Sequence, residues 1–300
     1  MKKPIILSII MALMLLTLGS LAPTHAQDSA KEEKPTFYHL VPGTYVNGWP
    51  RFTMTYPKDW VEMPLIILQL FAAKTPGPTL GAVFSVYHFS SPLPLDKFVD
   101  LVVQWFRITT DRDVTVVSDR PSRLRDGTPA QEVELQMVSN GEPYNWLGVA
   151  TKKGDIWINT NIGLYKGKIG EDLKAVLYSL QYEPNKDEPV KVPSDVQEFL
   201  DRNSNDALSH DLTKIMASFS DKFLNSGVRK GEVERGLRQS IGNLMSSKVT
   251  ITDFVPAGDR AYLTGFRIIN NRFTFSLTET SIIKESGEWK WYGNQRDPVP

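Results

Sequence analysis

The sequence has 300 residues, of which 41% are hydrophobic and 23% are charged, and this is the composition of an ordinary globular protein. Its 34 Lys and Arg residues balance its 34 Asp and Glu residues, which argues against a nucleic-acid binder that works through a strongly basic surface. The chain has no cysteine, so disulfides, thiolate metal sites and the acylated cysteine of a bacterial lipoprotein are excluded.

The first 26 residues have the pattern of a secretory signal peptide. Lys2 and Lys3 provide a positive start, an apolar run extends from Ile5 to Leu18, and Thr24-His25-Ala26 offers small residues before a cleavage site. The alternative is an uncleaved anchor helix, for which the run is at the short end. Cleavage predicts a periplasmic or secreted protein with no stable membrane span. Residues 27–36 are polar and charged, and they are typical of a flexible tether.

A first domain is predicted over residues 37–183. Its strands are predicted from period-two alternation and from Val, Phe and Tyr content, and turn residues separate them. Apolar residues at helical spacing predict a helix from Pro94 to Arg107, and a second helix closes the domain over Ile169–Leu180. The predicted strands are Phe52–Tyr56, Leu65–Phe71, Gly81–Phe89, Val114–Val117, Ala130–Val138, Trp146–Thr151 and Ile156–Asn161.

This order of strands, helix, strand meander and helix predicts an α+β sandwich built on an antiparallel sheet. The phrase FTMTYPKDW, the central helix after a hairpin and the closing Leu177-Tyr178-Ser179-Leu180 resemble the PsbP-like fold of photosystem extrinsic proteins and their bacterial relatives. The resemblance implies an assembly or docking module, and it carries no catalytic residue over to this chain.

Residues 184–193 are rich in proline and charge and are predicted to be a semi-stiff linker to a second domain over 194–296. Ser194 to Gln197 matches a capping box at the start of a first helix. Asp211 is predicted to cap a second helix that carries Leu212, Ile215, Met216 and Phe219, and a third helix is predicted over Glu232–Met245.

The rest of the second domain is predicted to be a four-stranded antiparallel meander. Its turns are at Pro256–Asp259, at Asn270-Asn271 and at Glu285–Glu288, and the last strand places Trp289 and Trp291 on one face. Three helices before such a meander, with the phrases DALSHDLTKIMASFSDKFLNSG and GEWKWYGNQ, resemble the nuclear transport factor two-like fold, also called SnoaL-like or ketosteroid-isomerase-like. That resemblance implies a cone between a bent sheet and helices, which serves catalysis in some members and binding or dimerisation in others.

Candidate catalytic residues are few. An isomerase needs a carboxylate base and an oxyanion donor, and Asp221, Tyr262 and Tyr292 are the nearest groups for those roles. His210 is four residues after Asp206 and is a further acid–base candidate, although the end of a helix explains it equally well. Asp221 also fits a turn or cap.

Candidate ligand-binding residues are aromatic and lie on the predicted sheet. They are Trp289, Trp291, Tyr292, Phe266 and Phe275. The alternative role for the two tryptophans is ordinary packing between the sheet and the helices. The sequence predicts no metal site and no cofactor, because it has no HExxH, P-loop, GxGxxG, GxSxG or EF-hand pattern.

Three hypotheses follow from the sequence. The first is an exported, non-enzymatic binding or assembly protein that docks a protein partner or a small apolar ligand. The second is an enzyme of isomerase or dehydratase type, which fails if its candidate side chains do not point into one cavity. The third is a homodimer formed through the aromatic face of the C-terminal sheet.

Overall fold

The computed structural model describes residues 39–63, 69–77, 81–110, 113–139, 141–183, 188–225, 228–271 and 273–295. The predicted signal peptide, the tether, residues 184–187 of the linker and residues 65–68 of the predicted second strand lie outside this part. The protein is a mixed α+β chain and mostly sheet, with 51% strand and 24% helix. The chain divides between residues 187 and 188 into two compact units, called here the N-terminal and the C-terminal unit.

The N-terminal unit combines two antiparallel sheets with two helices. The larger sheet has the strand order β3-β4-β5-β9-β8-β7-β6, and the smaller one has the order β1-β2-β10. The strands are β1 Thr44–Gly48, β2 Arg51–Thr55, β3 Val61–Glu62, β4 Gln69–Lys74, β5 Ala82–Ser90, β6 Val114–Arg123, β7 Pro129–Ser139, β8 Glu142–Lys153, β9 Ile156–Tyr165 and β10 Gln181–Tyr182. The helices are α1 Phe98–Thr110, which follows a 3-10 turn at Leu95–Lys97, and α2 Glu171–Leu177.

The larger sheet buries a hydrophobic core on each of its faces. Neighbouring residues of one strand enter different cores, because alternate side chains of a strand point to opposite faces. Trp146 belongs to the core that includes Phe98 of α1. Leu147 belongs to the core shared with Phe52 of β2 and with Leu177 of α2.

The predicted helices of this unit are confirmed with shifted ends, since the second is shorter than the predicted Ile169–Leu180. A tight turn at Gly154 and Asp155 joins β8 to β9, with Gly154 at a φ of 61°. Strand β6 runs six residues beyond its predicted end at Val117 and includes Pro121. Proline is tolerated there because β6 is an edge strand, where one side of the backbone has no partner strand.

The C-terminal unit packs helices on one face of a six-stranded sheet with the order β12-β11-β16-β15-β14-β13. Strand β11 runs parallel to β16, and the other neighbours are antiparallel. The helices are α3 Ser194–Leu208, α4 Leu212–Ala217 and α5 Lys230–Ser240, the last continued by a 3-10 turn at Ile241–Asn243. The strands are β11 Phe219–Asn225, β12 Val228–Arg229, β13 Ser247–Ala257, β14 Arg260–Ile269, β15 Phe273–Glu285 and β16 Glu288–Gly293.

Three expectations for this unit are corrected. The predicted four-stranded meander is a six-stranded sheet, because Phe219 leaves the helix and starts β11, where Asp221 also lies. The predicted capping box of Ser194 is absent, because Pro193 holds the N-cap position and Ser194 is already helical. The third helix begins earlier and ends at Ser240, five residues before the predicted Met245.

Other local expectations for this unit are confirmed. The Asp211 carboxylate accepts hydrogen bonds from the backbone N–H groups of Thr213 and Lys214 at 3.0 and 3.2 Å, so it caps α4. Both residues of the Asn270-Asn271 turn have a positive φ, as does Gly287 in the last hairpin. Asparagine and glycine adopt this conformation at a lower cost than other residues.

Candidate functional site

The strand register divides the predicted site residues between the two faces of the C-terminal sheet. Trp291 pairs with Ile282, which pairs in turn with Ala261, and all three belong to the core beneath α3. We call this side the helix-covered face. Tyr262 follows Ala261 in β14, so alternation places its side chain on the opposite face. Phe266 lies on that opposite face for the same reason, since its neighbour Arg267 faces the helices.

The candidate catalytic base Asp221 lies at the surface. Its side chain is 96% exposed and forms an ion pair with Lys230, with 2.7 Å between Oδ1 and Nζ. The hydrogen bond and the charge of Lys230 hold the pKa of Asp221 below its usual value. A general base that works near neutral pH needs the opposite shift, which burial away from cations would cause.

The other acid–base candidates are dispersed. His210 is exposed in the turn after α3, where its Nε2 lies 2.8 Å from the carbonyl oxygen of Leu244. Tyr292 is buried, and the guanidinium of Arg260 lies over its ring at 4.5 Å. His210 at a helix end and Asp221 on the exposed side of β11 are therefore not gathered with Tyr262 around one cavity, as an isomerase site would require.

Trp289 is tied to the start of helix α3. Its Nε1 donates a hydrogen bond of 2.8 Å to Asp195, and Lys284 Nζ donates to the same carboxylate oxygen at 3.1 Å. The hydrogen bond from Trp289 and, next in size, the one from Lys284 hold the pKa of Asp195 below its usual value. The indole NH is therefore already used in fastening the last hairpin to the helix.

Trp291 and Phe275 are brought close to a residue that the sequence did not single out, Arg267. The guanidinium of Arg267 lies 5.8 Å from the centre of the Trp291 ring, and its Nη2 donates a 2.5 Å hydrogen bond to Asn203 Oδ1. Phe275 is the direct partner of Arg267 across the β14–β15 pair, so the two side chains share a face. We call Arg267, Asn203, Trp291 and Phe275 the Arg267 site.

The charge of Arg267 is poorly compensated. Among the residues that the structure describes, no carboxylate forms an ion pair with it, and its Nε is buried without a hydrogen-bond partner. Burial alone lowers its pKa to about 10. A buried guanidinium without a counter-charge is unfavourable, because ions lose their hydration when they enter a protein interior.

The apolar part of the Arg267 site is open to solvent at one end. Phe275 is 46% exposed although it lies on the helix-covered face, and Leu277 on the same face is only partly buried. Trp291 at the other side is 4% exposed and packs 5.2 Å from the ring of Phe199 in α3. The site thus has a buried end at Trp291 and an exposed end at Phe275, and Arg267 neighbours both residues.

Asn203 holds the guanidinium in place. Its Oδ1 accepts from Arg267, and its Nδ2 donates a 2.7 Å hydrogen bond to Ser218 Oγ. Ser218 Oγ donates in turn to the carbonyl oxygen of Ile215 at 2.7 Å, so the chain of bonds ends in helix α4. Alternation along β14 groups Arg267 with the core residues Ala261 and Leu263, and this is the sequence signal for the site.

The N-terminal unit carries a separate polar cleft of about 380 Å³. In it, the buried carboxylate of Glu132 accepts two hydrogen bonds from Arg120 at 2.9 and 2.5 Å and a third from the hydroxyl of Tyr178. Burial, followed by the hydrogen bond to Glu132, raises the pKa of Tyr178 to about 12. The charges of this pair are mutually neutralised, in contrast to that of Arg267.

Within the described ranges, no group of three or more His, Asp or Glu residues is arranged to hold a metal ion. In that same part of the chain, no helix is long and apolar enough to cross a membrane.

No protein-family model matches this sequence, and no curated protein matches it. The chain is similar to a protein of known structure from Bacteroides thetaiotaomicron, at 15% identity and a TM-score of 0.34 over 83% of this chain and 89% of that one. It is similar to the cyanobacterial PsbP of Synechocystis sp. PCC 6803, at 13% identity and a TM-score of 0.37 over 55% of this chain and 99% of that one.

A third similar structure is the Ran-binding protein Mog1p of Saccharomyces cerevisiae, at 8% identity and a TM-score of 0.35 over 44% of this chain and 89% of that one. A PsbP is thus among the structures that this chain resembles, and the sequence analysis predicted a PsbP-like resemblance for the first domain. The resemblance of the C-terminal unit to the nuclear transport factor two-like fold is not confirmed. Because every TM-score is below 0.5, we base the function on this chain's own residues.

Proposed function

We propose that the protein is an exported, non-enzymatic binding protein whose C-terminal unit holds a small, mainly apolar ligand at the Arg267 site. The observation that carries this proposal is the exposed ring of Phe275 on the face of the sheet that otherwise forms the core. A large aromatic side chain in that position gains free energy when an apolar ligand covers it. Export rests on the signal-peptide pattern of residues 1–26.

The enzyme hypothesis finds less support in the geometry. Asp221, His210 and Tyr262 lie on three separate elements, and the carboxylate of Asp221 is solvated and paired with Lys230. An isomerase or dehydratase of this type would need a base enclosed beside its substrate. A binding role makes no such demand on these residues.

A protein partner is the second candidate, and a different surface favours it. In the N-terminal unit, apolar side chains are exposed on the edge strand β6, on its neighbour β7 and on helix α1. They are Val116, Val117, Val138, Trp105 and Ile108. Exposed apolar groups at a sheet edge are typical of docking surfaces. Self-association through the C-terminal sheet stays the third hypothesis.

A neutral fluorescent probe tests ligand binding at the Arg267 site. N-phenyl-1-naphthylamine gains fluorescence when it leaves water, so we expect a saturable increase with the full chain. Phe275→Ser should weaken this binding, because it removes the exposed ring. Val138→Ser is the matched control, since it removes an exposed apolar side chain from the other unit and should change nothing. Equal titrations of Phe275→Ser and wild type would refute the placement of the site.

A further inference from the structure

Arg267 differs from Arg51 and Arg120 in what surrounds it. Arg51 lies 3.3 Å from Glu183, and Arg120 lies 2.5 Å from Glu132, so each of these two arginines faces a carboxylate that is buried or partly buried. Within the part of the chain that the structure describes, the partners of Arg267 are the neutral amide oxygen of Asn203 and the face of Trp291. Neither of these carries a negative charge, and Nε has no acceptor.

From this arrangement we propose that Arg267 recognises the carboxylate of an amphipathic monocarboxylate, whose apolar chain lies against Phe275 and Leu277. The inference rests on the proposed function, because it names the class of ligand for the same site. One carboxylate balances the single charge of one guanidinium, whereas a dianionic phosphate would bring a second charge that no further cation at the site offsets. A guanidinium also presents parallel N–H donors that fit the two oxygens of a carboxylate.

The site already provides the parts that such a ligand needs. Asn203 fixes one edge of the guanidinium through Nη2 and is itself held by Ser218, so the cation is oriented before a ligand arrives. Arg267 is partly exposed as a residue although its Nε is buried, and the exposed ring of Phe275 across the strand pair marks the side from which a ligand would approach the guanidinium. Phe275 and Leu277 continue from it along one face of β15, which suits a chain rather than a compact ligand.

The proposal predicts a preference for an acid over an uncharged molecule of equal length. We suggest isothermal titration calorimetry of the full chain with decanoate and, separately, with decanol. Decanoate should bind at least about tenfold more tightly, because its carboxylate forms charge-assisted hydrogen bonds with the guanidinium that the hydroxyl of decanol cannot replace. Arg267→Met should abolish this preference while leaving decanol binding in place.

Arg260→Met is the matched control variant. Arg260 lies over Tyr292 on the opposite face of the sheet, so its loss removes one positive charge without touching the site. We expect it to keep the preference for decanoate. Far-ultraviolet circular dichroism and thermal melting establish that both variants fold, and Arg267→Lys, which keeps the charge but loses the planar donors, should keep part of the preference.

The outcomes separate the inference from the proposed function. Equal affinity for decanoate and decanol in wild type would overturn the carboxylate inference and leave apolar ligand binding intact. Binding of neither molecule would overturn both. A preference that survives in Arg267→Met, or one lost equally in Arg260→Met, would show that a general charge effect, and not Arg267, recognises the acid.

Discussion

Replacing Arg267 by methionine should leave the stability of the protein almost unchanged, although the residue lies at the edge of the core. The pKa of Arg267 falls from 12.5 to about 10 through burial alone. At about 1.4 kcal/mol for each pKa unit, this corresponds to a desolvation cost of about 3 kcal/mol that methionine would relieve.

Arg267→Met also removes contacts that stabilise the fold, and their loss lowers the free energy of unfolding. The hydrogen bond to Asn203 contributes about 1.5–3 kcal/mol, and the interaction with the Trp291 ring contributes about 0.5–1 kcal/mol. The two effects nearly cancel, so we expect the free energy of unfolding to change by less than about 1 kcal/mol. Phe199→Ala, by comparison, should cost about 3–5 kcal/mol because it empties a site that is 2% exposed.

Urea denaturation of the full chain, followed by circular dichroism and by tryptophan fluorescence, measures both changes. Phe199→Ala identifies the transition that belongs to the C-terminal unit, in case the two units unfold separately. A loss of about 3 kcal/mol or more in Arg267→Met would contradict this cancellation of desolvation cost and contacts. It would mean that contacts in the folded protein already compensate the charge of the Arg267 guanidinium, and that the role of Arg267 is structural and not ligand binding.

Two further predictions concern pH and backbone packing. The pKa of Tyr178 is raised, so its neutral form stabilises the fold below pH 10 and that contribution is lost between pH 10 and about 12. Urea titrations at several pH values should show stability falling in this window, and less steeply in Tyr178→Phe; an unchanged slope would exclude Tyr178 as the cause. Gly265→Ala should destabilise the C-terminal unit by about 2 kcal/mol or more, because the new Cβ would lie 2.0 Å from the backbone oxygen of Thr250. Gly236→Ala, in α5 with open space around it, should instead stabilise by about 0.5–1 kcal/mol, and thermal melts that ranked the two variants in the other order would contradict both expectations.

The elements that the sequence predicts well are those whose signals are local. The helix around Phe98 has a long, regular apolar stripe, and the turn at Asn270-Asn271 needs a positive φ that asparagine accepts. Phe219 shows where local signals fail. Phe219 is four residues before Phe223, a spacing that fits one turn of a helix and also the same face of a strand. Phe219 forms a strand because it pairs with Trp291, which is distant in the sequence.

The site was harder to predict because its parts are far apart in the sequence. The environment of Arg267 is set by Asn203, which is 64 residues earlier, and by Trp291 on another strand. The aromatic residues of the last hairpin could be found from the sequence, and alternation placed Trp289 and Trp291 together. It could not show that Asp195 would already engage Trp289.

Native mass spectrometry of the protein, purified gently from its own cellular extract, tests directly whether the Arg267 site holds a ligand. We expect a reproducible added mass that is lost on denaturation, that corresponds to an apolar acid and that is reduced in Arg267→Met. A chain that appears only at its own mass in both wild type and variant would contradict ligand binding at the Arg267 site. Appearance only at twice that mass would contradict it too, and would favour self-association through the sheet.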